Sequence, residues 1–385
     1  MQPDLSLIIC TYERPENLSR CLASVMGQSI DLSRIEVVIA DDGSRDATSA
    51  IAHEFAATTP FPVRFVTHPH TGFCPSRCRN EGAAASTSDY LVFLDGDCLI
   101  APNFLATQLR KRRAGVVRIG DCIRLSQSIS ARIDEQKARS GSYQRLVPWR
   151  SRLAALKLAM KDTKHHLLRD PLRPVLTSNN IGIWRQDYER VNGFDEMFIG
   201  WGSEDRDFGL RLKRAGLSLQ TIMWWTVPVH LWHPPAPSHP KNWLDGPNIA
   251  YHNRPARLTQ CPRGLRKRSI SDLQMLVRLT ALQRKQVRIP SWLETNISAE
   301  VRPEIEILFA SPTSQFTGDA DCNILVVPSI AGIDSTLLAR AHYFVVSRPI
   351  DGIATERQLV PQDLEFLIKS LANPLLPKLG ARAAA

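Results

Sequence analysis

Long apolar runs are missing from this sequence. Even a strand-like stretch such as Tyr90-Leu91-Val92-Phe93-Leu94 falls far short of the roughly 18 to 20 apolar residues that a membrane crossing takes, so no span is expected. The opening Met1-Gln2-Pro3-Asp4 enters a strand pattern directly, without a basic segment, an apolar core or a small-residue cleavage site. Residence in the cytoplasm is the expectation. Cysteine is sparse: the eight in 385 residues sit mostly inside apolar or helical patterns, which excludes a disulfide scaffold and fits reduced, buried thiols. His68, His70, Cys74 and Cys78 could each ligate zinc, but their spacing fits no finger or ribbon, and no zinc is expected there. Acidic residues are in deficit, 38 against 48 Lys and Arg, for a net charge of +10. Such a surface attracts anions: a nucleoside diphosphate, an acidic lipid leaflet or nucleic acid.

What is present is an alternation of strand and helix signals, the pattern of a mostly parallel sheet covered on both faces. Leu5 to Cys10, Ile35 to Ala40, Val63 to Thr67 and Tyr90 to Leu94 read as strands. Between them, Pro15 opens a helix with a buried stripe of Leu18, Cys21, Leu22, Val25 and Met26, Asp46 caps a second, and Pro75 to Ala85 is a third. Residues 126–173 read as a polar, basic helical insertion. The Pro-rich run from Pro234 to Pro240 marks the end of the sheet. The basic stretch from Arg254 to Arg288 surrounds a helical pattern at Leu273, Leu276, Val277 and Thr280. It reads as a solvated helix face or linker, with membrane or partner contact as the alternative. Residues 290–385 form a small α/β appendage with no assigned role and a disordered Ala-rich end.

Ligands of open parallel sheets bind beyond the carboxyl ends of the strands. Polar residues gather there: Thr11, Tyr12, Glu13 and Arg14 after the first strand, Asp41 and Asp42 after the second, Arg77 and Arg79 on the third helix, Asp95 and Asp97 after the fourth. An aromatic ring and a carboxylate suit a base, and Arg79 suits a phosphate. Asp95-Gly96-Asp97 crowds like charges at the end of a buried strand, a cost that Mn²⁺ or Mg²⁺ removes while bridging to diphosphate oxygens. Further on, Trp201 lies between glycines as an exposed ring fit to stack on a sugar, followed by Glu204, Asp205 and Asp207 at a helix start. A carboxylate held there can take a proton from an acceptor hydroxyl. His230 and His233 bracket Trp232 and offer a further metal ligand.

In order along residues 5 to 240, this set resembles the inverting family-two glycosyltransferases of GT-A fold. The segment from Asn192-Gly193-Phe194-Asp195-Glu196 through Trp201, Glu204 and Asp205 to Phe208-Gly209-Leu210-Arg211-Leu212 is similar to bacterial chondroitin-polymerase modules and the β-1,4-galactosyltransferase group. The resemblance implies an α/β, GT-A (Rossmann-like) mostly parallel mixed sheet flanked by helices. It places a catalytic domain at 1–253, a basic helical linker at 254–289 and the appendage at 290–385. It implies that Thr11, Tyr12, Arg14 and Asp42, with Asp41 as substitute, hold the base, that Arg79 and Asp95 contact the donor, and that Asp97 binds metal with His230 or His233, His230 slightly preferred. Asp205 would be the base, and Trp201 and Glu204 would position the acceptor. Cys10, Glu13 and Ser203 stand where relatives often carry proline, asparagine and glycine.

The expected activity is metal-dependent transfer, with inversion, of a hexosyl group from a nucleotide-sugar, a UDP-sugar by preference, to a glycan or lipid-linked glycan in cell-envelope or capsular polysaccharide synthesis. The expected setting is the inner face of an anionic membrane, with no nucleic acid as partner. Two other classes stay open: a basic nucleic-acid-binding protein, suggested by charge alone, and a sugar nucleotidyltransferase, whose glycine- and arginine-rich phosphate loop is absent.

Overall fold

The structure is a computed structural model that describes residues 2–235, 239–280, 302–311, 314–318, 320–327 and 333–372, with 283 and 293. The Ala-rich end and part of the basic stretch lie outside the described residues. The chain forms two compact units, Met1–His252 and Asn253–Ala385.

The first unit opens with β1 (Leu5–Thr11), α1 (Pro15–Met26), β2 (Ile35–Asp41), α2 (Thr48–Thr58), β3 (Val63–Thr67), α3 (Pro75–Ala85) and β4 (Tyr90–Asp95). Then follow β5 (Cys98–Leu99), α4 (Phe104–Lys111), β6 (Val116–Ile119) and β7 (Ile123–Arg124). The expected helical insertion is α5 (Gln127–Ser130), α6 (Glu135–Ser140) and the long α7 (Trp149–Leu167). The unit continues with β8 (Asn180–Trp184), α8 (Arg185–Arg190), α9 (Glu204–Arg214), β9 (Ser218–Thr221), β10 (Val229–His230) and α10 (Ile249–His252).

The main sheet has the order β3-β2-β1-β4-β8-β6-β9. The β1, β2, β3 and β4 pairings are parallel, β8 runs antiparallel to β4 and β6, and β9 is parallel to β6. The mostly parallel mixed sheet flanked by helices is the expected fold class. Strand order reverses between β1 and β4, whose register pairs Cys10 with Asp95, while Thr11 pairs with Asp41. The ends of three strands thus meet at one crevice. A second sheet, β5-β10-β7, crosses beside it.

Sequence pattern accounts for these elements. Pro15 at the first helical position starts α1, and Leu18, Cys21, Leu22 and Val25 bury its inner stripe against β1, β2 and β4. Central strands β1, β2 and β4 are mostly apolar and buried almost throughout, with Ser6 and Glu36 as buried polar exceptions, because both faces are covered, whereas edge strand β3 is only half-buried. Asp46 acts one residue earlier than a formal cap, accepting from the Thr48 amide at 2.9 Å.

The second unit is a parallel sheet in sequential order: β11 (Met275–Arg278), β12 (Ile305–Phe309), β13 (Cys322–Val327), β14 (Tyr343–Val346) and β15 (Gln358–Leu359). Here the helical reading of residues 273–280 is corrected. The buried positions are Leu273, Met275 and Val277, a period of two, and β11 pairs with β12. Leu276, which completed the helical pattern, is only half-buried.

Gly82 shows how tightly α3 lies on this sheet: a Cβ there would sit 2.5 Å from Ile8 Cγ2 and 3.3 Å from Ala40 Cβ. Gly82→Ala gains about 1 kcal/mol of helix propensity but overpacks at a cost of about 1–3 kcal/mol. A lower urea midpoint with unchanged slope is expected; a higher midpoint would mean that α3 can move off the sheet freely.

Candidate active site

The crevice at the sheet reversal is built around Asp97. Gly96 sits close under Thr11, where a Cβ would meet Thr11 Cβ and Oγ1 at 3.0 Å, and its amide donates to Cys10 O at 2.7 Å. Just beyond this tight turn, β5 pairs with β10, setting Cys98 opposite His230, and the Leu231 amide donates to Asp97 O at 2.8 Å. Pairing between distant segments therefore carries both histidines to the carboxylate. His230 Nε2 lies 3.3 Å from Asp97 Oδ1 and His233 Nε2 3.2 Å from Oδ2.

Candidate ligand atoms of Asp97, His230 and His233 lie within 4.8 Å of one another. The sequence left a choice between the histidines; the structure brings in both. Their chemistry fits a divalent cation. His233 Nδ1 donates to the Pro234 carbonyl at 2.6 Å, leaving Nε2 as the atom turned to Asp97. Burial raises the Asp97 carboxyl, but the hydrogen bond from His233 and the charges of His230 and Arg14 outweigh it and bring it down to about 2. Arg14 is placed differently from the base-binding expectation: its guanidinium donates to Asp97 Oδ2 at 2.9 Å.

Asp95 faces the other way. Buried Arg79 donates to Asp95 Oδ1 at 3.1 Å and approaches Glu204 Oε1 at 3.7 Å, with its guanidinium 5.3 Å from the Phe194 ring centre. Among the described residues, Arg79 Nε and Nη1 and Glu204 Oε2 find no hydrogen-bond partner. Burial raises the Glu204 carboxyl, with Arg79 opposing. Glu204, expected to position an acceptor, is thus buried against Arg79 instead, because the first turn of α9 points it inward.

Asp205 faces a cleft of about 150 Å³ lined by Trp201, Gly202, Ser203, Trp243 and Asn248, among others. Burial, with Glu204 beside it, raises the Asp205 carboxyl to about 7. Trp201 is half-buried rather than exposed, its ring 4.2 Å from that of His239. The αL backbone of Ser203, φ 74°, turns the loop into α9, and Asn248 Nδ2 donates to Gly202 O at 2.9 Å. Trp243 and Asn248 escaped the sequence reading because they follow the proline-rich run; the aromatic after that run was the available signal.

At the end of β2, Asp41 accepts from the Ser44 amide and Thr67 Oγ1, both at 2.8 Å, and from the Ser44 hydroxyl. Asp42 accepts from Cys74 N and pairs with His68 Nε2, each at 2.8 Å. The Asp42 hydrogen bond raises the His68 pKa. Tyr12 stacks on His70 at 4.4 Å. Thr11 is buried at the strand end, and Arg77 Nε donates to Glu81.

The raised Asp205 makes a stability prediction. It keeps in the folded chain a proton that the unfolded chain releases above about pH 4, so it lowers stability as pH rises from about 4 to about 7 and by a constant amount beyond. Asp205→Asn lacks this loss. Its Tm relative to the parent should climb across that window and then level off; parallel curves would mean that Asp205 titrates as an ordinary carboxylate.

Residues 6–162 match Glycosyl transferase family 2, and residues 174–228 match the N-terminal domain of galactosyltransferase. Validoxylamine A glucosyltransferase of Streptomyces hygroscopicus subsp. jinggangensis is 26% identical over 82% of this chain and 74% of its own length. Chondroitin synthase of Escherichia coli is 28% identical over 57% of this chain and 33% of its own length. Among solved structures, the mannosyltransferase PcManGT from Pyrobaculum calidifontis, in complex with GDP-Man and Mn²⁺, is similar at TM-score 0.43 and 17% identity over 63% of this chain and 59% of that one. The first unit thus carries a glycosyl transferase family 2 domain match at residues 6–162, followed directly by a galactosyltransferase-domain match at residues 174–228.

Proposed function

We propose that the chain is a metal-dependent, inverting hexosyltransferase that moves a sugar from a nucleotide-sugar, a UDP-sugar by class, to a hydroxyl of a glycan or lipid-linked glycan in cell-envelope or capsular polysaccharide synthesis. The observation that carries it is the Asp97–His230–His233 cluster at the strand reversal, in the same unit as a carboxyl raised to about 7 in an aromatic-walled cleft. Relatives named for glucosyl transfer and chondroitin synthesis support the hexosyl reading.

Asp205 takes the proton of the acceptor hydroxyl as that oxygen attacks the anomeric carbon and the bond to the diphosphate breaks. A base titrating near 7 suits that task. Asp97, His230 and His233 would hold a divalent cation, which would supply positive charge for the departing diphosphate. Two imidazoles beside one carboxylate favour Mn²⁺ over Mg²⁺, which prefers an oxygen shell. Arg14 adds charge on the same side, and Arg79 holds Asp95 and Glu204 in place beside it. Tyr12, Thr11, Asp41 and Asp42 border the base, and Trp201 offers a ring face to the acceptor sugar.

Thermal melting with a panel of nucleoside diphosphates and nucleotide-sugars, with and without Mn²⁺, tests the donor assignment. A manganese-dependent rise in Tm with one nucleotide, lost in Asp97→Ala, is expected; no rise with any of them would sink the reading. Asp205→Asn should keep that rise and lose transfer by about 10²-fold or more, and normal turnover would remove Asp205 from its role.

A further inference from the structure

We propose that the outer face of α7 seats the protein on an anionic lipid surface. Trp149, Leu153, Leu156, Met160 and Leu167 are 68, 41, 44, 56 and 73% exposed. At 100° per residue they fall within an arc of about 60°, a single apolar stripe. The opposite face packs on β7 and β9, burying Ala159 and Asp162. The stripe is therefore surplus to the core, and a continuous exposed apolar patch marks an interaction surface.

Charge selects the occupant. Arg150, Lys157, Lys161 and Lys164, all exposed, run along one border of the stripe, and exposed Arg152 lies on the other. Asp162, an acidic residue of this helix, is turned inward. Basic stems can lie along the apolar face while their heads reach lipid phosphates. A second copy meeting this face would set like charges against each other, which disfavours self-pairing through α7. Trp224, 45% exposed, donates its Nε1–H to Thr163 Oγ1 at 2.9 Å, adding an indole beside the stripe. Indoles favour the headgroup level. No helix among the described residues is long and apolar enough to cross a membrane; this one has the form that lies in the interface. The membrane contact held as the alternative for the stretch from Arg254 to Arg288 is replaced in this proposal by a stripe in the first unit. The proposal does not rest on the donor, acceptor or metal assigned above.

Cosedimentation of the full chain with vesicles of phosphatidylcholine, and of phosphatidylcholine with phosphatidylglycerol, tests it. Binding is expected to the anionic vesicles and to fall with salt. The pair Leu153→Glu and Met160→Glu should abolish it. Lys157→Glu with Lys161→Glu should weaken it by at least about fivefold per charge removed. Arg266→Glu with Lys267→Glu, in the second unit, should leave it intact. All variants should keep the parent's melting curve and its nucleotide-dependent shift, which separates failed docking from failed donor binding. Absence of binding to anionic vesicles, binding that survives the stripe substitutions, or a dimer in sedimentation velocity that those substitutions dissociate would overturn the proposal.

Discussion

A carboxylate that must stay ionised while buried is the constraint to which the first unit answers. Asp97 is only 5% exposed, and such a charge is tolerated only when paired and hydrogen-bonded. The fold meets this demand with backbone. The tight Gly96 turn aims the carboxylate, the two-residue β5 seats the returning β10, and the Leu231 amide closes on the Asp97 carbonyl. His230, His233 and Arg14 then arrive as charge partners. The Asp97 carboxylate thus has imidazoles and a part-exposed guanidinium as its charge partners.

Much of this was legible in the sequence because it is local. The apolar runs of β1, β2 and β4, the proline at the head of α3 and the polar residues closing each strand are all short-range signals, and strand alternation alone places those polar ends on one side of a parallel sheet. What was not legible depends on long-range pairing. Spacing could not say that β10 would bring both His230 and His233 to Asp97, nor that Arg14 would turn to the same carboxylate. Glu204 and Asp205 are neighbours in sequence, yet one is buried on Arg79 and the other opens to a cleft; only the angle at which α9 leaves the Ser203 turn decides that. The misread segment at 273–280 has a different cause. Leu273, Leu276, Val277 and Thr280 satisfy a helical period, while Leu273, Met275 and Val277 satisfy a strand period, and burial beside β12 settled the choice.

Arg79 has the matching role on the opposite side of the crevice. It joins Asp95 at the end of β4 to Glu204 at the start of α9, and its helix neighbour Asn80 holds the Phe194 backbone by both amide and carbonyl. The end of β4 and the start of α9 therefore both lean on Arg79, and the Phe194 segment on Asn80, in a helix whose close approach to the sheet depends on the absence of a side chain at Gly82.

The small β5-β10-β7 sheet joins residues 98–99 and 123–124 to residues 229–230, the last strand of the first unit. On the ribosome, Asp97 thus emerges long before the histidines that complete its surroundings, accompanied only by Arg14 among the three. A nascent chain can assemble β1 to β4, yet the Asp97–His230–His233 cluster cannot exist until residue 233 has cleared the exit tunnel. Order of synthesis alone keeps the unfinished chain from bringing the three side chains together.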